Sequence, residues 1–164
     1  MKSLGPKVLA TRMVREYAQE LYAPAAASSA RLAASEFAAA KELARWRGEV
    51  LAAWPGVSVL HVDSQLDGDP TLGGVLYLRS EVELNGLDAS DVDVEAVYGP
   101  VDTENKLISV RSASLKLVGP ADGTCRFEGQ IPLDRTGSLG YTVRVLPKNA
   151  LLATPAELGV VTTA

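Results

Sequence analysis

The stretch LYLRSEVEL, residues 76–84, alternates apolar and polar side chains along its whole length. Successive side chains of a β-strand point to opposite faces, so this alternation predicts a strand with one face in a core and the other in water. The predicted inward side chains are Leu76, Leu78, Ser80, Val82 and Leu84, and the predicted outward ones are Tyr77, Arg79, Glu81 and Glu83. The segment therefore predicts a layered β fold.

Similar short runs fill the rest of the chain after Pro55. Turn-forming pairs such as Asn85-Gly86 and Asp122-Gly123 separate them at fairly regular intervals. The predicted strands cover residues 57–62, 74–84, 92–98, 107–117, 124–131, 141–146 and 159–162. About seven short strands with this spacing predict an antiparallel β-sandwich of immunoglobulin-like type.

The N-terminal part has a helical pattern instead. Apolar residues recur there at intervals of three and four, which predicts an amphipathic helix; they are Leu9, Met13, Val14, Tyr17 and Leu21. Pro24 predicts the end of this helix near Tyr22, because a proline disfavours helical geometry in the residue before it. A second helix is predicted over residues 29–53 and is stopped by the sequence Trp54-Pro55-Gly56.

The period changes at residue 54, which predicts two domains. The expected fold class is α+β, with an N-terminal helical arm of two helices over residues 1–54 and the β-sandwich over residues 55–164. The arm carries 8 basic and 5 acidic residues, whereas residues 55–164 carry 8 basic and 15 acidic residues. With 47% hydrophobic and 22% charged residues among 164, the composition is that of a folded protein.

Charge and hydropathy limit the partners and the compartment. The formal net charge of −4 argues against a nucleic-acid partner. No apolar run approaches the ~18 residues of a membrane span, so no membrane partner is expected. A single cysteine cannot form an internal disulfide, and the first residues lack the apolar stretch of a signal peptide. These features predict a cytoplasmic protein.

Residues with catalytic chemistry are scarce. The sequence contains no glycine-rich nucleotide loop, no metalloprotease histidine pair and no GxSxG nucleophile motif. His61 and Cys125 each lie in a predicted strand and are interpreted as structural side chains. The acidic groups within residues 63–69 and 88–93 lack the spacing of a calcium loop and are interpreted as solvated turns. No catalytic, cofactor-binding or metal-ligating residue is predicted.

A sugar-binding sandwich would present exposed rings, because sugar faces stack on aromatic side chains. After Trp54 the aromatic residues are Tyr77, Tyr98, Phe127 and Tyr141. Tyr141 begins the segment GYTVRVLP after Gly140, and a structural tyrosine corner is favoured over a sugar contact there.

Six segments in a fixed order carry a family resemblance. They are KSLGPKVLATRMVREYAQELYAPAA at 2–26, AAWPGV at 52–57, VLHV at 59–62, YGPVD at 98–102, GYTVRVLP at 140–147 and PAELG at 155–159. Together they resemble the C-terminal segment of bacterial α-glucan (glycogen, maltodextrin) phosphorylases, especially the shorter actinobacterial form. The function that this resemblance implies is the C-terminal, noncatalytic part of such an enzyme.

The resemblance implies a parent that cleaves terminal α-1,4-glucosidic bonds with inorganic phosphate and releases glucose 1-phosphate. The parent's cofactor would be pyridoxal 5′-phosphate, held on a lysine in a glycine-rich stretch. None of the lysines here has that context: Lys2, Lys7, Lys41, Lys106, Lys116 and Lys148. Since phosphorolysis requires a preorganised cleft that fixes the phosphate, we expect this chain alone to be inactive and to hold no cofactor.

The resemblance also implies partners. Terminal helices of the family pack back across the catalytic domains, so Leu9, Met13, Tyr17 and Leu21 are expected to dock on the remainder of the phosphorylase polypeptide. The exposed helices are expected to self-associate when the chain is isolated. An α-glucan is a further potential ligand of the parent. The alternative is a freestanding immunoglobulin-like module that binds a protein or a glycan.

Overall fold

The computed structural model describes residues 10–66, 68–69, 71–121 and 124–164. Its contacts divide the chain into two compact units, Met1–Trp46 and Arg47–Ala164. The first is helical in its described part, and the second contains the strands. No helix among the described residues combines the length and the hydropathy needed to cross a membrane.

Helix α1 spans Ala10–Tyr17 and runs through a π-helical turn, Ala18–Tyr22, into α2, Ala23–Ala53. The predicted helix end at Tyr22 is therefore wrong. Pro24 is the second residue of α2 and directly follows a π-helical turn, whose wider backbone relieves the clash of a proline ring with the preceding carbonyls. The Ala23 N–H donates to the Ala18 carbonyl, which closes the wider π turn just before the proline.

Helix α2 is interrupted at Ala34–Phe37, within the predicted second helix. Ser35, Glu36 and Phe37 have φ angles of +51°, +56° and +63°, in the left-handed region that non-glycine residues seldom adopt. This stretch contains neither glycine nor proline, so no local pattern indicates the break. The helix then continues past Gly48 to Ala53 and ends at the 3₁₀ turn Trp54–Gly56, as predicted.

The described residues contain the seven predicted strands with adjusted ends. They are β1 Ser58–Leu66, β2 Val75–Glu83, β3 Val92–Pro100, β4 Arg111–Ala121, β5 Thr124–Pro132, β6 Leu139–Pro147 and β7 Thr162–Thr163. The largest adjustment is in β4, which was predicted to begin at residue 107. Ser109 has a φ of +49°, which breaks the extended backbone before Arg111.

All strand pairs are antiparallel, in the order β1-β2-β5-β4-β3-β6-β7. Strand β4 pairs with β3 up to Leu115 and with β5 from Lys116 onward, so it passes from one layer to the other. Strands β1, β2, β5 and β4 form one layer, and β3, β6 and β7 form the other, as in an immunoglobulin constant domain. The sheet curls so that β1 contacts β6 and β7. The predicted immunoglobulin-like sandwich is confirmed.

The core lies between the two layers. The five predicted inward residues of β2 and the turn after it are all buried: Leu76, Leu78, Ser80, Val82 and Leu84. Phe127 and Ile131 of β5 are buried with them, as are Val94 of β3 and Val143 of β6. Each large apolar side chain contributes about 1.5–3 kcal/mol when fully buried. The core therefore fixes which face of β2 remains available to a ligand.

Candidate functional surfaces

The predicted docking residues form an exposed stripe on the helical unit. Met13, Tyr17 and Leu21 follow one another at intervals of four residues, and their exposed fractions are 50%, 47% and 57%. Residues four apart on a helix lie on the same face. Leu9, the fourth predicted docking residue, lies outside the described residues. The stripe thus offers apolar surface that water still covers in this chain.

A polar groove of about 620 Å³ crosses the outer face of the layer β1-β2-β5-β4. Tyr77 of β2 lies directly opposite Gln65 of β1 and Gln130 of β5. Because directly paired residues of an antiparallel sheet share a face, the tyrosine stands between two amide side chains. Tyr77 is 41% exposed, so its ring is accessible from the groove.

A second row of the groove is charged and runs across all four strands. In strand order it consists of Asp63, Arg79, Glu128 and Lys116. The Nε atom of Arg79 donates to Oε1 of Glu128 at 2.8 Å. The row carries two acidic and two basic groups, so its formal charges cancel. The alternation of β2 predicted that Tyr77 and Arg79 face outward together, but it carried no information about their neighbours on β1, β5 and β4.

A second cavity, of about 480 Å³, lies at the end of the sandwich where β3 and β5 finish. Its lining is rich in leucine and includes Leu66, Leu72 and Leu133. At its rim Arg111 binds Asp134 through two hydrogen bonds, Nη1 to Oδ2 at 2.7 Å and Nη2 to Oδ1 at 2.8 Å. The hydrogen bond from Arg111 lowers the pKa of the Asp134 carboxyl below its usual value. These two charged groups are already satisfied by each other.

The other residues considered from the sequence occupy structural positions. His61 is exposed on β1, an edge strand, in agreement with its interpretation. Cys125 is a half-buried free thiol whose pKa is raised by burial, which disfavours the reactive thiolate. Ala89–Asp91 forms a 3₁₀ turn after Asp88, as expected for the second acidic group. Within the described residues no cluster of three His, Cys, Asp or Glu side chains is placed to hold a metal ion.

The described lysines do not fit the cofactor that the family resemblance implies for the parent enzyme. A lysine that holds pyridoxal 5′-phosphate must stand in an enclosed site that also grips the cofactor's phosphate. The four described lysines, Lys41, Lys106, Lys116 and Lys148, are all exposed. Lys106 forms an ion pair with Glu104 at the surface. The described part of the chain therefore offers no site for this cofactor.

Comparison with known proteins gives matches along the whole chain. Residues 54–164 match the family described as glycogen phosphorylase C-terminal domain. Glycogen phosphorylases of Mycobacterium bovis and Mycobacterium tuberculosis are 45% identical over 166 residues, an alignment that covers 100% of this chain and 19% of theirs. Maltodextrin phosphorylase of Thermococcus litoralis is 33% identical over 99 residues, or 60% of this chain and 11% of that protein. The chain therefore spans only 19% of the length of the mycobacterial relatives.

Proposed function

The chain belongs to the family of glycogen phosphorylase C-terminal domains, and from this premise we propose that it is a noncatalytic structural part of an α-glucan phosphorylase. The observation that carries the proposal is the similarity to mycobacterial glycogen phosphorylases over the full chain. The parent would release glucose 1-phosphate from α-1,4-glucans, using inorganic phosphate and pyridoxal 5′-phosphate. The catalytic groups and the cofactor would lie on the remainder of the polypeptide, in the cytoplasm.

The role of this chain is to dock on that remainder through the helical stripe. Met13, Tyr17 and Leu21 are each about half exposed, so a partner surface gains apolar contacts by covering them. Full burial of one such side chain contributes about 1.5–3 kcal/mol. Leu9 continues the same spacing in the sequence and is assigned to the same surface. In the isolated chain the stripe would also promote self-association.

The domain boundary is proposed at residues 54/55. Helix α2 ends at Ala53, and the family match begins at residue 54. Residues 1–54 would then connect the catalytic region to the sandwich, and residues 55–164 would form the C-terminal domain proper.

Introducing negative charges into the apolar stripe tests the docking role. The double variant Met13→Asp/Tyr17→Asp is expected to weaken association of this chain with the separately produced remainder of the phosphorylase polypeptide by at least about tenfold, because two apolar side chains no longer become buried in the contact. Calorimetry with the two purified polypeptides measures the association. The matched control is Gln19→Asp, which introduces a carboxylate on another face of the same helical run and is expected to leave the affinity unchanged.

Phosphate-dependent release of glucose 1-phosphate is measured on the same samples. The isolated chain is expected to release none, whereas the catalytic polypeptide, with this chain bound, is expected to be active and more resistant to heat. Release by the isolated chain would contradict the noncatalytic role, and equal affinity of the double variant and the wild type would contradict the docking surface.

A freestanding glycan-binding module is the second candidate function. The specific observation in its favour is the polar groove around Tyr77, on a face that needs no second polypeptide. Failure to associate with any catalytic polypeptide, together with glycan binding by the isolated chain, would favour this candidate.

A further inference from the structure

We propose that the groove on the outer face of β1, β2, β5 and β4 binds a neutral α-glucan chain. The chemistry of the groove selects a neutral ligand rich in hydroxyl groups. The choice of an α-glucan among such ligands rests on the proposed function.

The centre of the groove has the chemistry of a sugar subsite. Tyr77 presents an accessible ring, and a pyranose has an apolar face of C–H groups that packs on such a ring. Gln65 and Gln130 flank the ring from the neighbouring strands, with Cβ atoms expected about 4.5–5.5 Å from that of Tyr77. Each amide can donate hydrogen bonds through its NH₂ group and accept them through its oxygen, and each sugar hydroxyl can also donate and accept. The two amides can therefore bind hydroxyls on either side of a stacked ring.

The charged row excludes other ligand classes. Its two acidic and two basic groups cancel, so the row gives no net electrostatic attraction to a phosphate backbone or to a basic peptide. An apolar peptide would displace the water bound to these four groups without replacing the hydrogen bonds that the water makes, which is unfavourable. Sugar hydroxyls replace those bonds, since they donate to the carboxylates and accept from the two cations. The row therefore favours a polar ligand without net charge.

The dimensions fit a short stretch of a polysaccharide. Four strands at about 4.8 Å spacing give a face about 14 Å wide. The volume of about 620 Å³ lies in the usual range for small-molecule sites. The side chains that line the centre of the groove, Gln65, Tyr77 and Gln130, are all exposed, so a ligand can reach them from solvent. The leucine-lined cavity at the end of the sandwich has no aromatic ring in its lining on which a sugar could stack.

Affinity electrophoresis of the full 164-residue chain in gels that contain glycogen tests the proposal. The wild type is expected to be retarded, since many glucan branches around one molecule raise the effective concentration of a weak ligand. Tyr77→Ala is expected to raise the apparent dissociation constant about tenfold. Tyr77→Phe, which keeps the ring, is expected to retain binding within about threefold. Tyr22→Ala removes another exposed tyrosine, on the helical unit, and is expected to have no effect.

Further variants and polymers make the outcome decisive. Gln130→Ala is expected to weaken retardation about threefold and guards against any folding defect specific to Tyr77→Ala. A cellulose derivative with β-linked glucose is expected to give no retardation. Unretarded wild type, equal retardation of Tyr77→Ala and wild type, or equal binding of α- and β-linked polymers would overturn the proposal.

The proposal fails independently of the proposed function. Tyr77→Ala leaves the helical stripe unchanged, so the calorimetric test of docking gives the same answer in that variant whichever way the glycogen test turns out. Loss of docking with intact glycogen retardation would instead remove the phosphorylase role and leave the groove as a sugar site.

Discussion

At the scale of single residues, one ion pair connects the start of β4 to the loop before β6. Arg111 meets Asp134 with two hydrogen bonds, and its guanidinium carbon lies 5.0 Å from the centre of the Tyr98 ring. A planar guanidinium group can make both contacts at once, because its N–H groups bind the carboxylate in the plane while its flat face stacks on the aromatic ring. The pair thus joins the start of β4 to the loop before β6 at the end of the sandwich.

This pair predicts a dependence of stability on pH. The hydrogen bond from Arg111 lowers the folded-state pKa of Asp134 below the unfolded value near 3.9. The stabilisation is therefore complete above the unfolded pKa and is lost as the pH falls through the folded pKa. Asp134→Asn is expected to be less stable than the wild type in urea at pH 7, and this difference is expected to shrink at pH 2–3.

The matched control for that experiment is Asp69→Asn, an exposed carboxylate in the loop after β1. It is expected to give much smaller differences at each pH. A difference between Asp134→Asn and the wild type that stays constant from pH 7 to pH 2 would show that the ion pair does not titrate with folding.

At the scale of elements, the end of α2 is held by the turn after β2. Asn85 has a φ of +50°, which asparagine tolerates better than most residues, and its Nδ2 donates to the Ala53 carbonyl at 2.7 Å. That carbonyl lies at the end of α2 and lacks the regular helical donor four residues later, because the Val57 N–H donates to the Trp54 carbonyl instead. Gly56 packs against the same asparagine so closely that a Cβ at this position would overlap its side chain.

Two glycines at this junction are expected to respond in opposite directions to alanine. Gly56→Ala pushes the Asn85 amide away from Ala53 and is expected to cost about 1–2 kcal/mol of the free energy of unfolding. Gly48→Ala lies in the exposed helix interior with open space around its Cβ, and is expected to add up to about 1 kcal/mol through helix propensity. Urea denaturation measures both. Shifts of the same sign would refute the Asn85 contact as the reason for glycine at position 56.

At the scale of the whole molecule, the exposed helical stripe predicts concentration-dependent association of the isolated chain. Soluble monomers seldom leave a large contiguous apolar patch open to water. Sedimentation equilibrium is expected to show species larger than a monomer, and a hydrophobic dye is expected to bind at low concentration. Leu21→Asp is expected to reduce both signals, whereas Gln19→Asp leaves them unchanged. Monomers at every concentration, without dye binding, would contradict the exposed stripe.

The two surfaces assigned here differ in how far local sequence predicts them. The helical stripe follows from spacing alone, because Met13, Tyr17 and Leu21 belong to one helical run. The groove does not, because Tyr77 gains Gln65 and Gln130 as neighbours only through strand pairing. Its charged row joins four strands that are distant in the chain. The side-chain pattern of a single segment does not reveal how its residues pair with those of the neighbouring strands.

The sequence by itself determined the class of each element, the inward face of β2 and the stop after Ala53, because side-chain period and turn chemistry are local properties of the backbone. Six short segments were also enough to indicate the family. Only the tertiary structure decided the break at Ala34–Phe37, the passage of β4 between layers, and the alignment of Asp63 with Lys116 across the sheet. Nothing in the structure explains the break at Ala34–Phe37, whose residues are exposed. The last two features depend on pairing between distant segments, whose energy is set by packing of the complete core.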